Sequence, residues 1–386
     1  MVTVPVLPLG LVVAMKKLKV VIGLNTAWNL LNFRAGLIKA LLAEGHEVVA
    51  VAPQDEYADR VRALGCKFVA LNIDNQGTNP VRDVLLWWRY RRLFKSLRPD
   101  VFLGFTVKPN VYGSLAARSL GIAVINNIAG LGSVFNKNNW LTALVRGLYL
   151  LALRSSDKVF FQNQDDLDSF LAQGLVNPKV VDRLPGSGVD LEKFKPQNLV
   201  RIDQKIKFLL VARMLWEKGV GEYVEAATQL KIDHPNAEFA LLGFLDVKNP
   251  HAISREQMDV WVSSSAINYL GVSDDVASIM SEYDVVVLPS KYREGTPRSL
   301  LEAAAMGKPI VTTNTSGCRD VVDDGVSGYL CVPGNAQDLS RALGQMLALT
   351  PDERHAMGRQ GRLKMERFYD ERTVIKHYLT ALMQLK

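Results

Sequence analysis

The feature that most constrains this chain is a recurring one: short apolar runs, each followed by a stretch with helical spacing. In the first half the runs are Val20-Val21-Ile22-Gly23-Leu24, Val48-Val49-Ala50-Val51, Phe68-Val69-Ala70-Leu71, Val101-Phe102-Leu103-Gly104, Val124-Ile125-Asn126 and Val159-Phe160-Phe161. In the second they are Phe208-Leu209-Leu210-Val211, Phe239-Ala240-Leu241-Leu242-Gly243, Asn268-Tyr269-Leu270, Val285-Val286-Val287-Leu288 and Pro309-Ile310-Val311. A strand with one wet face alternates polar and apolar residues. A strand apolar at nearly every position must be covered on both faces, which is the situation of a parallel sheet flanked by helices. The intervening spacing predicts helices over 33–44 (ended by Gly45), 57–64 (ended by Gly65), 81–97, 220–230, 276–282 and 299–306. The predicted class is α/β, with two doubly wound lobes.

A length of 386 residues suits two domains. The turn-rich segment Pro185-Gly186-Ser187-Gly188-Val189-Asp190, with Pro196 after it, places the joint there. The expected division is 15–187 for the first lobe and 188–365 for the second. Two such lobes leave a cleft between them, and ligands in these folds bind at the carboxyl ends of the strands. Residues 1–14 are apolar with two prolines and no leading charge, too short for a span and wrongly charged for a secretory leader. They read as an extension before Met15-Lys16-Lys17. Cys66, Cys318 and Cys331 are scattered, which fits a reducing, cytoplasmic setting and no disulfide framework. The net charge of +7 is uneven: 22 Lys and Arg against 14 Asp and Glu through Asp190, 24 against 25 after it. A basic first half points to an anionic partner, a membrane surface or a nucleic acid.

Two segments carry chemistry. In the first, an apolar strand ends at Leu288-Pro289, a loop holds Glu294, Gly295 and Thr296, and a helix starts near Pro297 and Ser299, with Glu302 on it. Proline suits a helix start, and the free N–H groups there attract anions and hydroxyls. In the second, Val211-Ala212-Arg213-Met214-Leu215-Trp216-Glu217-Lys218-Gly219 sets two cations around a strand-to-helix loop, as a pyrophosphate requires. Alone, two glutamates read as helix-terminus and surface acids, but the loop glycine, the proline and the preceding apolar strand favour a functional pair. The Arg213 and Lys218 segment, alone, is equally a pair of solvated charges flanking a turn.

On these residues the chain resembles glycosyltransferase family 4, of the GT-B architecture. Glu294 and Glu302 match its E-x7-E motif, Arg213 and Lys218 its R-x4-K pair. Gly188 to Pro196 matches its interdomain linker, and Tyr269-Leu270-Gly271 the stretch whose backbone meets the nucleotide base. The first half is similar to a narrower branch, bacterial enzymes that extend undecaprenyl-diphosphate-linked sugars, through Asn32-Phe33-Arg34, Thr106 to Gly113 and Gly130-Leu131-Gly132. The resemblance implies a retaining transfer from a UDP-sugar to a polyprenyl-diphosphate-linked saccharide, with a terminal helix over 366–386 returning to the first lobe. Arg213, Lys218 and Glu294 are then catalytic. Glu302, Leu270, Gly271, Gly295, Thr296, Pro297 and Ser299 bind the donor; Asn25, Arg34, Lys108, Asn110 and Gly130 bind acceptor or sugar. Many relatives carry a histidine where this chain has Val107, so Lys108 or Asn110 is expected to serve instead.

No cofactor and no metal are expected. Asp166-Leu167-Asp168 reads as D-x-D, but it opens a helix, and capping explains it more simply than metal binding. Trp87 to Lys95 and Trp140 to Arg154 mix aromatics or leucines with cations. That composition suits the bilayer interface as well as ordinary packing, and the lipid-linked acceptor favours peripheral contact with the cytoplasmic face of an inner membrane. Nucleic-acid binding is not expected, because no recognised module is present. Four other functions share the architecture or parts of it. A dinucleotide enzyme would need a G-x-G-x-x-G loop where Asn25-Thr26-Ala27-Trp28-Asn29 stands. A UDP-sugar epimerase and a transferase with a soluble acceptor remain open, as does a non-catalytic binding subunit.

Overall fold

The structure is a computed structural model, describing residues 16–74, 79–130, 140–197 and 205–385. The expected extension over 1–14, and Leu131 and Gly132, lie outside these. The first lobe contains strands β1 (Lys19–Gly23), β2 (Glu47–Ala52), β3 (Lys67–Ala70), β4 (Val101–Phe105), β5 (Ala123–Ile128), β6 (Lys158–Phe161) and β7 (Val181–Arg183). They form one parallel sheet in the order β3-β2-β1-β4-β5-β6-β7. The second lobe contains β8 (Lys207–Val211), β9 (Glu238–Leu242), β10 (Asn268–Tyr269), β11 (Val285–Leu288), β12 (Ile310–Thr313) and β13 (Gly328–Cys331), also parallel, in the order β10-β9-β8-β11-β12-β13.

Both sheets are dry on both faces, the physical reason for the apolar runs. In β1, Val20 and Ile22 pack into one core with the helix Ala27–Ala43, while Val21 points the other way, into a core with Leu86, Tyr90 and Phe94 of the helix Pro80–Leu97. In the second lobe Phe208 and Leu210 face one layer and Leu209 the other. Aromatic edges fill the first-lobe core: Tyr90, Phe94 and Phe102 meet at centroid distances of 5.2 to 5.8 Å. Gly113 is required there, since a Cβ would stand 2.5 Å from the Phe102 ring.

The helix after β1 starts at Ala27, six residues before the expected start at 33. Thr26 caps it through Oγ1, accepting from Asn29 N at 3.0 Å, and Asp55 Oδ2 accepts from Ala27 N at 2.9 Å. A local pattern shows neither the cap nor a carboxylate 28 residues away. Strands β7 and β13 were not anticipated, being short and flanked by polar residues.

Leu184 belongs to the first-lobe core, while Val189, Leu191 and Phe194 belong to the second. The chain recrosses beside this linker: Val189 bridges Asp370, and the helix Glu371–Met383 inserts Val374, Tyr378, Ala381 and Leu382 into the first-lobe core. Tyr378 also accepts a hydrogen bond from Asn127 Nδ2 at 2.9 Å.

Candidate active site between the lobes

Strand order reverses between β8 and β11 in the second lobe and between β1 and β4 in the first. At such a reversal the outgoing loops diverge and leave a crevice at the carboxyl ends. Arg213 and Lys218 follow β8, and Glu294 follows β11. The fold therefore brings the two expected motifs to one crevice.

Lys218 and Glu294 form an ion pair, with side chains 12% and 11% exposed. Ser290 Oγ donates to the same Glu294 oxygen at 2.8 Å, and the Lys218 ammonium lies 5.0 Å from the centre of the Tyr292 ring. Burial by itself would lower the lysine's pKa, but the Glu294 carboxylate and Tyr292 outweigh it and hold it above the ordinary value. The ammonium is therefore a fixed charge. Burial pushes the Tyr292 hydroxyl up, against the opposing pull of Lys218. Gly219 has φ +75°, and a Cβ there would collide with the Pro289 carbonyl. This close approach lets the two loops join, sealed by Lys291 N donating to Glu217 O at 2.8 Å. Arg213 is exposed beside this group, near enough to Tyr292 to act on its charge.

Pro297 is the N-cap of the helix Arg298–Ala305, one position outside it, and Ser299 lies in its first turn. Glu302 accepts from Arg298 Nε at 2.8 Å within that helix. Burial pushes the Glu302 carboxyl up, with Arg298 opposing. The Arg298 guanidinium reaches the first lobe, 5.4 Å from the Phe33 ring centre. Leu270 and Gly271 sit at the exposed rim after β10; Gly271 has φ +75° with open space where a Cβ would stand.

In the first lobe Asn25 follows β1 and accepts from Asn29 Nδ2 at 2.6 Å. The nearby helix start, a natural phosphate site, is filled by Asp55, so the dinucleotide reading has no anion seat there. Arg34 is 5% exposed, stacked 4.2 Å over Phe105 at the end of β4, with Nε unpartnered among the described residues. Burial lowers its pKa. Thr106, next to it, holds φ +62°, a strained backbone of the kind found at working sites. Lys108 is ion-paired with Asp83 at 2.7 Å, and Tyr112 shares that carboxylate.

Asn110 corrects the expectation. It is 1% exposed, donating to Asn127 O and accepting from Asn126 Nδ2, each at 2.8 Å. Asn126 in turn donates to Ser114 and accepts from Ser156. Asn110 is one member of an internal network, since buried amides need partners. The D-x-D reading is also sharpened. Asn163, not Asp166, caps the helix Gln164–Ala172. Asp166 is buried and pairs with Arg293 across the cleft at 3.1 Å; burial pushes its carboxyl up, against Asn163 and Arg293.

Sequence reasoning missed Ser290, Tyr292, Arg298 and the segment 162–165. Thr296 is buried because its hydroxyl donates across the cleft to Gln162 O at 3.1 Å. Gly130 and Gly295 face each other: at Gly130, φ +104°, a Cβ would stand 2.6 Å from Gly295 N. Only the pairing of loops in space carries that signal.

With this geometry in place, comparison with known proteins is informative. Residues 192–364 match the family "Glycosyl transferases group 1", and residues 33–185 a "Glycosyl transferase 4-like domain". The chain is 32% identical to the N,N'-diacetylbacillosaminyl-diphospho-undecaprenol alpha-1,3-N-acetylgalactosaminyltransferase of Campylobacter jejuni, over 91% of this chain and 94% of that protein. It is 24% identical to an Escherichia coli UDP-Gal:alpha-D-GlcNAc-diphosphoundecaprenol alpha-1,3-galactosyltransferase, over 78% and 77%. Among solved structures, Anabaena HepE with UDP and glucose superposes with a TM-score of 0.78 at 16% identity, covering 95% of this chain and all of that one, a likeness of fold. Two domain matches, a relative this similar along nearly the whole length and two parallel lobes around a cationic crevice agree: the chain belongs to the group 1 glycosyltransferases and is a GT-B enzyme that transfers sugar.

Proposed function

We propose that this enzyme moves an N-acetylhexosamine from a UDP-sugar to a saccharide carried on a polyprenyl diphosphate, with retention at the anomeric carbon, in surface-polysaccharide or glycoprotein-glycan assembly. The observation that carries the donor half is the buried Lys218–Glu294 pair at the strand-order reversal. The acceptor half is supported by the names of the two relatives, both of which act on undecaprenol-linked diphosphates.

Lys218 and Arg213 stabilise the leaving diphosphate, a fixed cation in a dry cleft being worth far more than one in water. The first-turn N–H groups of Arg298 and Ser299 add their dipole. Glu294 binds donor-sugar hydroxyls, Glu302 the ribose, and Leu270 and Gly271 the base. Neither glutamate is a nucleophile: the charge of Glu294 is matched by Lys218 and Ser290, that of Glu302 by Arg298. In a front-face route the bond from the anomeric carbon to the leaving phosphate breaks and the bond to the acceptor oxygen forms on the same face. The acceptor proton passes to the released phosphate oxygen. A covalent glycosyl adduct on Glu294 or Glu302, trapped and seen by mass spectrometry, would refute this. No metal is required in this scheme, so activity persists in excess chelator.

The enzyme sits peripherally on the cytoplasmic face of an inner membrane. On the helix Pro80–Leu97 the residues Val81, Val84, Leu85 and Trp88 form an outward apolar stripe, 45% to 68% exposed, beside exposed Arg82, Arg89 and Arg92. Leu144 and Leu151 are exposed on the helix Trp140–Leu153, which packs on the same 109–113 turn. Apolar side chains rimmed by cations match an anionic headgroup layer. Among the described residues no helix is long and apolar enough to cross a membrane.

Incubation with a panel of sugar nucleotides, with and without a polyprenyl-diphosphate sugar, tests the whole reading. Transfer only with the lipid acceptor supports it. Donor isomerisation alone establishes an epimerase, and equal transfer to a soluble sugar removes the lipid.

A further inference from the structure

The loop bearing Glu294 belongs to the second lobe, yet the first lobe holds it. Asn163 is the centre of this attachment. It is 1% exposed, and its Oδ1 caps the helix Gln164–Ala172 by accepting from Asp166 N at 2.8 Å. Its Nδ2 points at three acceptors: Asp166 Oδ2 at 2.9 Å, Glu294 O at 3.0 Å and Gly295 O at 3.3 Å. An amide nitrogen carries two protons, so the two loop carbonyls share one of them. Around this centre Thr296 donates to Gln162 O, Arg293 pairs with Asp166, and Asp165 takes both Ser316 and Arg319. The Glu294 backbone is also held from its own lobe, its N–H donating to Ser316 O at 3.1 Å.

From this we propose that Asn163, with Asp165 and Asp166, is a positioning group for the transfer reaction: it sets the Glu294–Thr296 loop, and through it the carboxylate, against Lys218. The inference rests on the donor reading above for its catalytic consequence, but the attachment itself is testable without it. The segment lies on the first lobe, whereas Lys218 and Arg213 lie on the second. Loss of the attachment therefore leaves the cationic seat intact and displaces the sugar-side group. Misplacement of a reacting geometry by about 1 Å costs on the order of a hundredfold in rate.

The test uses Asn163→Ser in the full chain. Serine caps a helix start as well as asparagine does, so the helix is retained, while both donations to the loop disappear. Hydrogen exchange over 290–297 is expected to rise about tenfold or more, with the melting temperature within a few degrees of wild type. UDP affinity is expected to stay the same while kcat falls roughly ten- to a hundredfold. A second pair guards against a folding artefact: Asp165→Arg lowers kcat, and adding Arg319→Asp restores it, both side chains being 39% exposed and tolerant of exchange. Unchanged exchange over 290–297 in Asn163→Ser overturns the proposal, as does a fall in kcat matched by an equal fall in UDP affinity. If wild type turns over no UDP-sugar, the donor reading fails, and the exchange result alone decides whether the first lobe holds the loop.

Discussion

Replacing Lys218 by methionine keeps most of the apolar body of the side chain and removes the ammonium, with its charge and its donors. Glu294 is then left 11% exposed with Ser290 as its remaining donor. Breaking a fully buried pair from one side costs about 3–5 kcal/mol. Partial exposure and the surviving Ser290 bond bring the expected cost to roughly 2–3 kcal/mol, or about 5–10 °C in melting temperature for a lobe of this size. Glu294→Gln alone should cost a similar amount by stranding the ammonium. The double variant leaves two neutral groups in contact and should cost roughly 2 kcal/mol, so a double-mutant cycle returns a coupling of about 2–4 kcal/mol. Urea melts of the four proteins measure it. For catalysis, loss of one fixed donor at a developing anion lowers kcat about a hundred- to a thousandfold. Coupling under about 0.5 kcal/mol would show that the two residues do not act as a unit. A fall in kcat of less than about fivefold would remove Lys218 from the leaving-group site.

Other outcomes follow from the same geometry. Asn110→Ala should cost about 1–3 kcal/mol in urea by leaving Asn126 and the Asn127 carbonyl short of a partner, with donor KM unchanged; a raised KM at full stability would return Asn110 to the site. Gly130→Ala at φ +104° forces a Cβ against Gly295 N, so kcat should fall while isolated-lobe melting is preserved by calorimetry. Burial pushes the Cys318 thiol up to about 11 and Cys331 up to about 12, and Cys66 upward as well, so none should react with a thiol reagent at pH 8 until the chain unfolds. The Ser316 hydroxyl, and after it Arg319 and Arg293, hold Asp165 below its ordinary value. A lowered carboxyl stabilises above its unfolded pKa of about 3.9 and loses that contribution as pH falls through the folded value, so exchange over 290–297 should rise below about pH 4 before the cores melt.

The sequence by itself determined the two parallel sheets, because a strand such as Val20-Val21-Ile22 that is apolar at every position has no wet face to offer. It also determined the pairing of motifs with loops: Glu294 after one strand, Arg213 and Lys218 after another, each beside glycine or proline that marks a strand-to-helix turn. Periodicity and turn chemistry are local, and they were enough for that. The tertiary structure decided everything that depends on which loops meet. Lys218 and Glu294 lie 76 positions apart and become partners because β8 and β11 are neighbours at the strand-order reversal. Asn110, expected to serve at the site beside Lys108, turns inward, where it pairs with Asn126 and the Asn127 carbonyl. Asp166, read with Asp168 as a D-x-D that opens a helix, proves with its neighbour Asp165 to be a link between lobes, since Arg293 and Arg319 arrive from the other domain. A residue's type states what it can bind; the fold, by choosing which group stands opposite, states what it does bind.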